Sequence, residues 1–445
     1  MPMRITGLKD IIAGLTSAGR GVFEVASTRR QAQLGEMCEK LLDLKGEASV
    51  IVLAHRILEL YATLEEAERI EFFEMLRDRF GADEQRLGAA ISDYQSSPGP
   101  DTAAALADAA EAPRQELFRL LNTAPNGTAA LIEMREHLLR VLRKHPQLAP
   151  VDRDIEHLLL SWFNRGFLTL RRIDWQTPAF ILEKLIAYEA VHEIRGWPDL
   201  QRRLANDRRC YGFFHPALPD DPLIFVQVAL VKGLADSIQT VLDSAPPAAD
   251  EEVEADTAIF YSISNCQRGL SGITFGNFLI KQVTDSLARD VPGITRFSTL
   301  SPIPGFRRHL ETWLATAEGA AALSDAEREL LADGPAHWLD DEGKANAIKP
   351  LMMHLCADYL LNVKRGEEPG DPVARFHLRN GARLERLNWL GDRSEKGLRE
   401  SYGLLVNYVY DRKTVAQNHE AYVNDFEVVC SSALRSLAAK RPKRL

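Results

Sequence analysis

The feature that most constrains this chain is a change of hydrophobic period near residue 165. Upstream, Leu41, Leu42, Val50, Val52, Leu53, Ile57, Leu58, Leu60 and Tyr61, then Ile70, Phe72, Phe73, Leu76 and Phe80, recur at helical spacing with Glu and Arg between them. That spacing gathers apolar side chains on one face of a helix. Strand-like alternation is nearly absent there, so residues 1–165 are expected to form an all-helical bundle domain. Within it a loop is expected at 96–101 and an Ala-rich connecting segment to Pro113, with helices over 114–122, 128–145 and 155–163. Beyond Gly166, strand-like runs at 167–175, 223–231, 257–263 and 295–300 alternate with helix candidates at 178–190, 197–206, 234–243 and 273–289. Such alternation predicts an α/β or α+β second domain over 166–445. The acidic, Pro-containing stretch 244–254 reads as a solvated loop. Helical character returns over 306–365, with a capping-box start at 323–327 and an apolar helix at 350–363.

Composition removes several functions. With 445 residues, 45% of them hydrophobic, the chain can bury two ordinary cores. A net charge of −9 argues against an extended nucleic-acid surface, which needs clustered Lys and Arg, so any phosphate binding must be local. Cys38, Cys210, Cys266, Cys356 and Cys430 are scattered, with neither a disulfide framework nor metal-ligand spacing, as suits a reducing compartment. The longest apolar run, 222–231, has half the roughly 20 residues a membrane helix needs, so no membrane association is expected. The first 34 residues contain Asp10 and Glu24 and lack a cleavage pattern, and the basic C-terminus does not end in a peroxisomal tripeptide. A cytoplasmic protein is the expectation.

Chemistry concentrates in 257–306. An apolar strand ending in a Gly-containing turn and leading into a helix leaves N–H groups at a helix N-terminus, where phosphate is readily held. Gln267, Arg268, Gly269, Leu270, Ser271 and Gly272 form that turn, Ser264 precedes it, and the next strand delivers Ser301 beside it. The pattern suggests a phosphate-bearing carrier such as coenzyme A. Arg268 and Lys281 read as phosphate partners or as solvated charges. His215, in a Pro-rich turn, either shapes the chain or lines an acyl pocket. Tyr408 and Tyr410 share one face of an extended run, for core packing or to bring a hydroxyl to the site. Taken singly, Ser301 is also a turn residue before Pro302, and His377 a buried core histidine.

Read together, FHPALPDDPL at 214–223, FYSIS at 260–264, NFLIK at 277–281, STLSPIPGF at 298–306 and FHLRNGA at 376–382 resemble the malonyl-CoA decarboxylase family, in one order over most of 160–435. The resemblance implies a helical N-terminal domain used in subunit association, hence a homo-oligomer, dimer or tetramer. It also implies a catalytic domain of GNAT-type acyltransferase fold turned to decarboxylation. Malonyl-CoA would be the substrate and acetyl-CoA and CO2 the products, through a thioester enolate, with no metal or organic cofactor beyond the coenzyme A of the substrate itself. Ser301 and His377 match the positions of the family's catalytic serine and histidine. The fold's phosphate loop follows the pattern (Arg/Gln)-x-x-Gly-x-(Gly/Ala); Gln267 and Gly272 fit its ends, but Leu270 stands in the middle and the glycine is at 269. An acyltransferase would need an acceptor groove and a base, and no marker for either is present. A helical scaffold without catalysis is disfavoured by the joint presence of Ser301 and His377.

Overall fold

The computed structural model of the protein describes residues 30–248, 254–273 and 279–439. The amphipathic first part folds into helices over Glu47–Ala62, Glu66–Arg79, Glu84–Ser96, Pro100–Ala110, Pro113–Leu121, Gly127–Val141 and Ala149–Trp162. Phe72, Phe73, Leu76, Leu131, Leu138 and Val151 are fully buried among them, each contributing about 1.5–3 kcal/mol by leaving water. The Ala-rich segment expected as a connection is itself a helix. Pro100 starts it with a φ already suited to the first turn, and the alanines continue it. Two segments from later in the chain, Pro216–Pro219 and Gln267–Thr274, cluster with these helices in a unit that runs to Phe167. A single cut at 165/166 does not provide for them.

The second unit is built on one mixed sheet: β1 (Thr169–Ile173), β2 (Arg208–Phe214), β3 (Ile224–Val231), β4 (Thr257–Asn265), β5 (Arg296–Thr299) and β6 (Ser301–Pro302), then, after a separate small hairpin of β7 (Lys364–Arg365) and β8 (Glu368–Pro369), β9 (Arg383–Asn388) and β10 (Leu405–Val409). The order is β1-β2-β3-β4-β5-β10-β6, with β9 on the other edge of β10. Strands β3 and β4 are buried along nearly their whole length, which explains their continuous apolar runs.

One detail of the sheet positions the site. Within this otherwise antiparallel sheet β4 and β5 run parallel, and their pairing stops at Phe260 and Thr299. Among the described residues, Tyr261–Asn265 of β4 has no strand on that side. β10, which already pairs with β5 at Ser298 and Val409, continues along the chain past Leu300, with Ser301 opposite Val406. Leu300 turns into a core with Ala229, Ile259, Tyr261 and Leu405. Alternation therefore sends Thr299 and Ser301 to the opposite face.

The side chain of Asn407, fully buried, braces this break. Its Nδ2 donates to the Thr299 carbonyl at 2.7 Å and the Ala235 carbonyl at 3.0 Å, and its Oδ1 accepts from Asn388 at 2.9 Å and Arg386 at 3.2 Å. No helix among the described residues is long and apolar enough to cross a membrane.

Candidate active site

His377 comes to Ser301 on the Pro372–Arg379 helix. Asp371 caps that helix by accepting from the amides of Val373 and Ala374, both at 2.9 Å, and Pro372 fixes the first turn. Gly381 ends it at φ +78, where a Cβ would stand 2.1 Å from the Val415 carbonyl oxygen, so only glycine fits. Helix and strand thus meet at a register set by both ends.

Ser301 and His377 are 5% and 3% exposed. Ser301 Oγ lies 3.0 Å from His377 Nε2 and donates to Thr299 Oγ1 at 2.9 Å. The ring's other nitrogen, Nδ1, lies 2.7 Å from the Tyr410 hydroxyl. Tyr408 stacks on the imidazole with centroids 4.5 Å apart and planes 26° from parallel. Phe376 approaches the ring edge-on at 5.1 Å, and Phe260 lies 6.5 Å from Tyr410. Burial without a carboxylate partner pushes His377 down to about 3. Against an ordinary value near 6.5 that gap opposes protonation by about 5 kcal/mol, more than one hydrogen bond returns, so the ring of the free protein is neutral. Burial likewise raises the Tyr408 and Tyr410 hydroxyls well above their ordinary range.

The structure sorts the other sequence candidates. Of the two tyrosines, Tyr410 brings its hydroxyl to the histidine. Tyr408 contributes its ring face, and its buried hydroxyl has no hydrogen-bond partner among the described residues. Ser264 is directed at a carboxylate: it donates to Glu189 at 3.2 Å, accepts from the Ala190 amide at 3.3 Å and lies 3.2 Å from Ser262, which itself donates to Glu189 at 2.8 Å. His215 is buried where β2 ends.

The Gln267–Gly272 loop is tied to its own unit. Arg135 donates to the carbonyls of Gly269 at 2.9 Å and Ser271 at 2.8 Å, and is itself held by Asp152 at 2.9 Å. A Cβ on Gly269 would lie 1.9 Å from the Ile132 carbonyl, so this glycine serves a close approach to the Gly127–Val141 helix. The amides of Leu270, Ser271 and Ile273 close turns onto Gln267, Arg268 and Leu270. The helix expected at 273–289 is described from Leu279 to Asp290, and the start on which a phosphate cradle would depend lies outside the described residues.

Thr299, Asn407 and Tyr410's contact with Nδ1 were not identified from sequence as site features. The one available signal was the i, i+2 spacing of Thr299 and Ser301, which places both on one face of a strand.

A helical domain followed by a mixed α/β sheet, with a buried Ser/His pair where its one parallel strand pair parts, defines the class of the fold. Comparison with known proteins narrows the class. Residues 166–445 match the model of the malonyl-CoA decarboxylase C-terminal domain and residues 80–163 that of its N-terminal domain. The mitochondrial malonyl-CoA decarboxylase of Rattus norvegicus is 34% identical over 415 residues, 84% of this chain and 83% of its own. That of Anser anser anser is 36% identical over 347 residues, 73% of this chain and 69% of its own. Among crystal structures, malonyl-CoA decarboxylase from Agrobacterium vitis is 50% identical with a TM-score of 0.85, covering 92% of this chain and 100% of that one. The Rhodopseudomonas palustris structure is 48% identical with a TM-score of 0.86, covering 91% and 99%. The chain belongs to the malonyl-CoA decarboxylase family.

Proposed function

We propose that this chain converts malonyl-CoA to acetyl-CoA and CO2 without a metal or organic cofactor, using Ser301 and His377 on a thioester enolate. The observation that carries the reading is the hydrogen-bonded Ser301–His377 pair, buried where β4 and β5 part. Losing CO2 requires three things: a carboxylate held out of the thioester plane, relief of charge on the thioester oxygen, and a proton for the α-carbon. Ser301 orients the imidazole of His377 beside the substrate through their hydrogen bond. Backbone N–H groups on the unpaired edge of β4 supply donors for the carrier's amides and the thioester oxygen.

The electron pair of the breaking C–CO2 bond passes into the thioester. His377 then delivers the hydrogen on Nε2 to the α-carbon as general acid, a role worth about 100- to 10,000-fold. As Nε2 loses its hydrogen, Nδ1 draws the proton of the Tyr410 hydroxyl, so the ring does not become an anion. A proton from water then returns to Nε2 as Nδ1 gives its hydrogen back to the Tyr410 phenolate, so the starting tautomer is restored and each turnover consumes one proton. No acyl-serine forms, because no acyl group is transferred.

Ser301→Ala and His377→Ala are expected to lower kcat by about 100-fold or more; thermal unfolding should change little in Ser301→Ala, which removes one hydroxyl, and more in His377→Ala, which empties the space of a buried ring. Chelators are expected to leave the rate unaltered. Near-normal turnover in either variant removes that residue from the scheme, and inhibition by chelator that added metal reverses contradicts the cofactor-free reading.

A further inference from the structure

The two hydroxyls and the imidazole of the site share too few protons for every arrangement to be possible, and Thr299 decides among them. Thr299 ends β5, two residues before Ser301 and on the same face. Its own place is fixed by bonds unrelated to the histidine. The Thr299 carbonyl accepts from Asn407 at 2.7 Å, and the neighbouring Ser298 hydroxyl donates to the Tyr408 carbonyl at 3.1 Å. As a β-branched residue in a strand, it has few rotamers to choose from.

Two donors converge on Thr299 Oγ1. The Tyr408 amide reaches it at 3.1 Å, and the Ser301 hydroxyl at 2.9 Å. A hydroxyl oxygen has two lone pairs, and these two donors occupy both. Ser301 has one proton, and with that proton directed at Thr299 its oxygen can meet His377 Nε2 only as an acceptor.

We propose that Thr299 is a positioning residue that sets the tautomer of His377: by accepting the Ser301 proton it requires the imidazole hydrogen to sit on Nε2, facing Ser301, with Nδ1 accepting from Tyr410. Burial supports this by keeping the ring neutral, so that only one of its nitrogens carries hydrogen. The opposite tautomer would present a lone pair at Nε2, which accepts a hydrogen and has none to give. The inference deepens the proposed mechanism and rests on it only for the kinetic consequence.

The test is nitrogen-15 NMR of the full-length protein labelled at histidine, with the His377 signals assigned by their loss in His377→Asn. Wild type and Thr299→Ser are expected to show the hydrogen on Nε2. Thr299→Val keeps the shape but removes the acceptor; Ser301 then turns its proton to Nε2, and the ring hydrogen moves to Nδ1. In the same series kcat is expected to fall by about 100-fold in Thr299→Val with KM nearly unchanged, and to recover in Thr299→Ser. A wild-type ring carrying its hydrogen on Nδ1 overturns the proposal whether or not the variants fold. So does a folded Thr299→Val protein that keeps the hydrogen on Nε2. Full turnover in His377→Asn would sink the dyad and leave the tautomer result standing, so the two failures are distinguishable.

Discussion

At the scale of single residues, the two tyrosines of β10 make the sharpest contrast. Both are buried beside His377, one through its hydroxyl and one through its ring. Tyr410→Phe removes the donor at Nδ1 and is expected to lower kcat about 10- to 100-fold at nearly constant KM. Tyr408→Phe should keep turnover within a few-fold and raise stability by about 1 kcal/mol, since it deletes a buried hydroxyl that has no partner. Steady-state kinetics and denaturant unfolding of the pair check this, and the reverse ranking of turnover contradicts it. Strand alternation in the sequence places both rings on one face. It cannot say which hydroxyl meets the histidine, because that depends on pairing with β9, whose register shifts between Asn407 and Tyr408. Ser264 illustrates the same limit: a polar residue at the end of an apolar strand reads as a ligand contact until Glu189, 75 positions away, is found beside it.

At the scale of elements, the site depends on a strand that breaks and resumes at Leu300, and Asn407 anchors the end of the first piece through the Thr299 carbonyl. Asn407→Ala would leave the Thr299 carbonyl without this bond and open space in a closed interior. A loss of about 2–4 kcal/mol is expected, measured as a lower denaturant midpoint with unchanged slope. A loss below about 0.5 kcal/mol would show that the break is held by other contacts. Long apolar strands such as β3 and β4 were legible in sequence because burial on both faces leaves a continuous run. Strand β9, with the sequence RLERLN, was not: its exposed and half-buried polar positions carry little hydrophobic signal. The capping box at Ser324 was legible because it is local. Glu327 N–H donates to Ser324 Oγ at 3.1 Å, and Ser324 N–H to Glu327 Oε2 at 2.8 Å.

At the scale of the whole molecule, the change of period near residue 165 marked out a helical region followed by an α/β region, because periodicity records which face each element buries. Assignment of the 216–219 and 267–274 segments to the helical unit was hidden, since it depends on contacts such as Arg135 with Gly269. Stability should carry the signature of two buried neutral histidines. Burial pushes His377 to about 3 and His192 to about 4. Both values lie below the unfolded one, so between these values and about 6.5 the unfolded chain binds protons that the folded chain refuses. This contribution to stability is complete above about pH 6.5 and is lost as pH falls, by about 2 kcal/mol per histidine at pH 5. Denaturant unfolding of wild type and His377→Asn between pH 5 and 7.5 should show a shallower acid loss in the variant; identical slopes would mean that His377 is not buried neutral.

The central claim is that a Ser/His pair on this fold removes CO2 from malonyl-CoA unaided. The most direct measurement is to incubate the purified protein with malonyl-CoA alone, without metal or acceptor, and follow the acyl-CoA species by mass spectrometry. Appearance of acetyl-CoA that is lost in His377→Ala is the predicted result. Malonyl-CoA that persists unchanged, or free coenzyme A without acetyl-CoA, would contradict the account: the first would point to acyl transfer to a missing acceptor, and the second to Ser301 as a hydrolytic nucleophile.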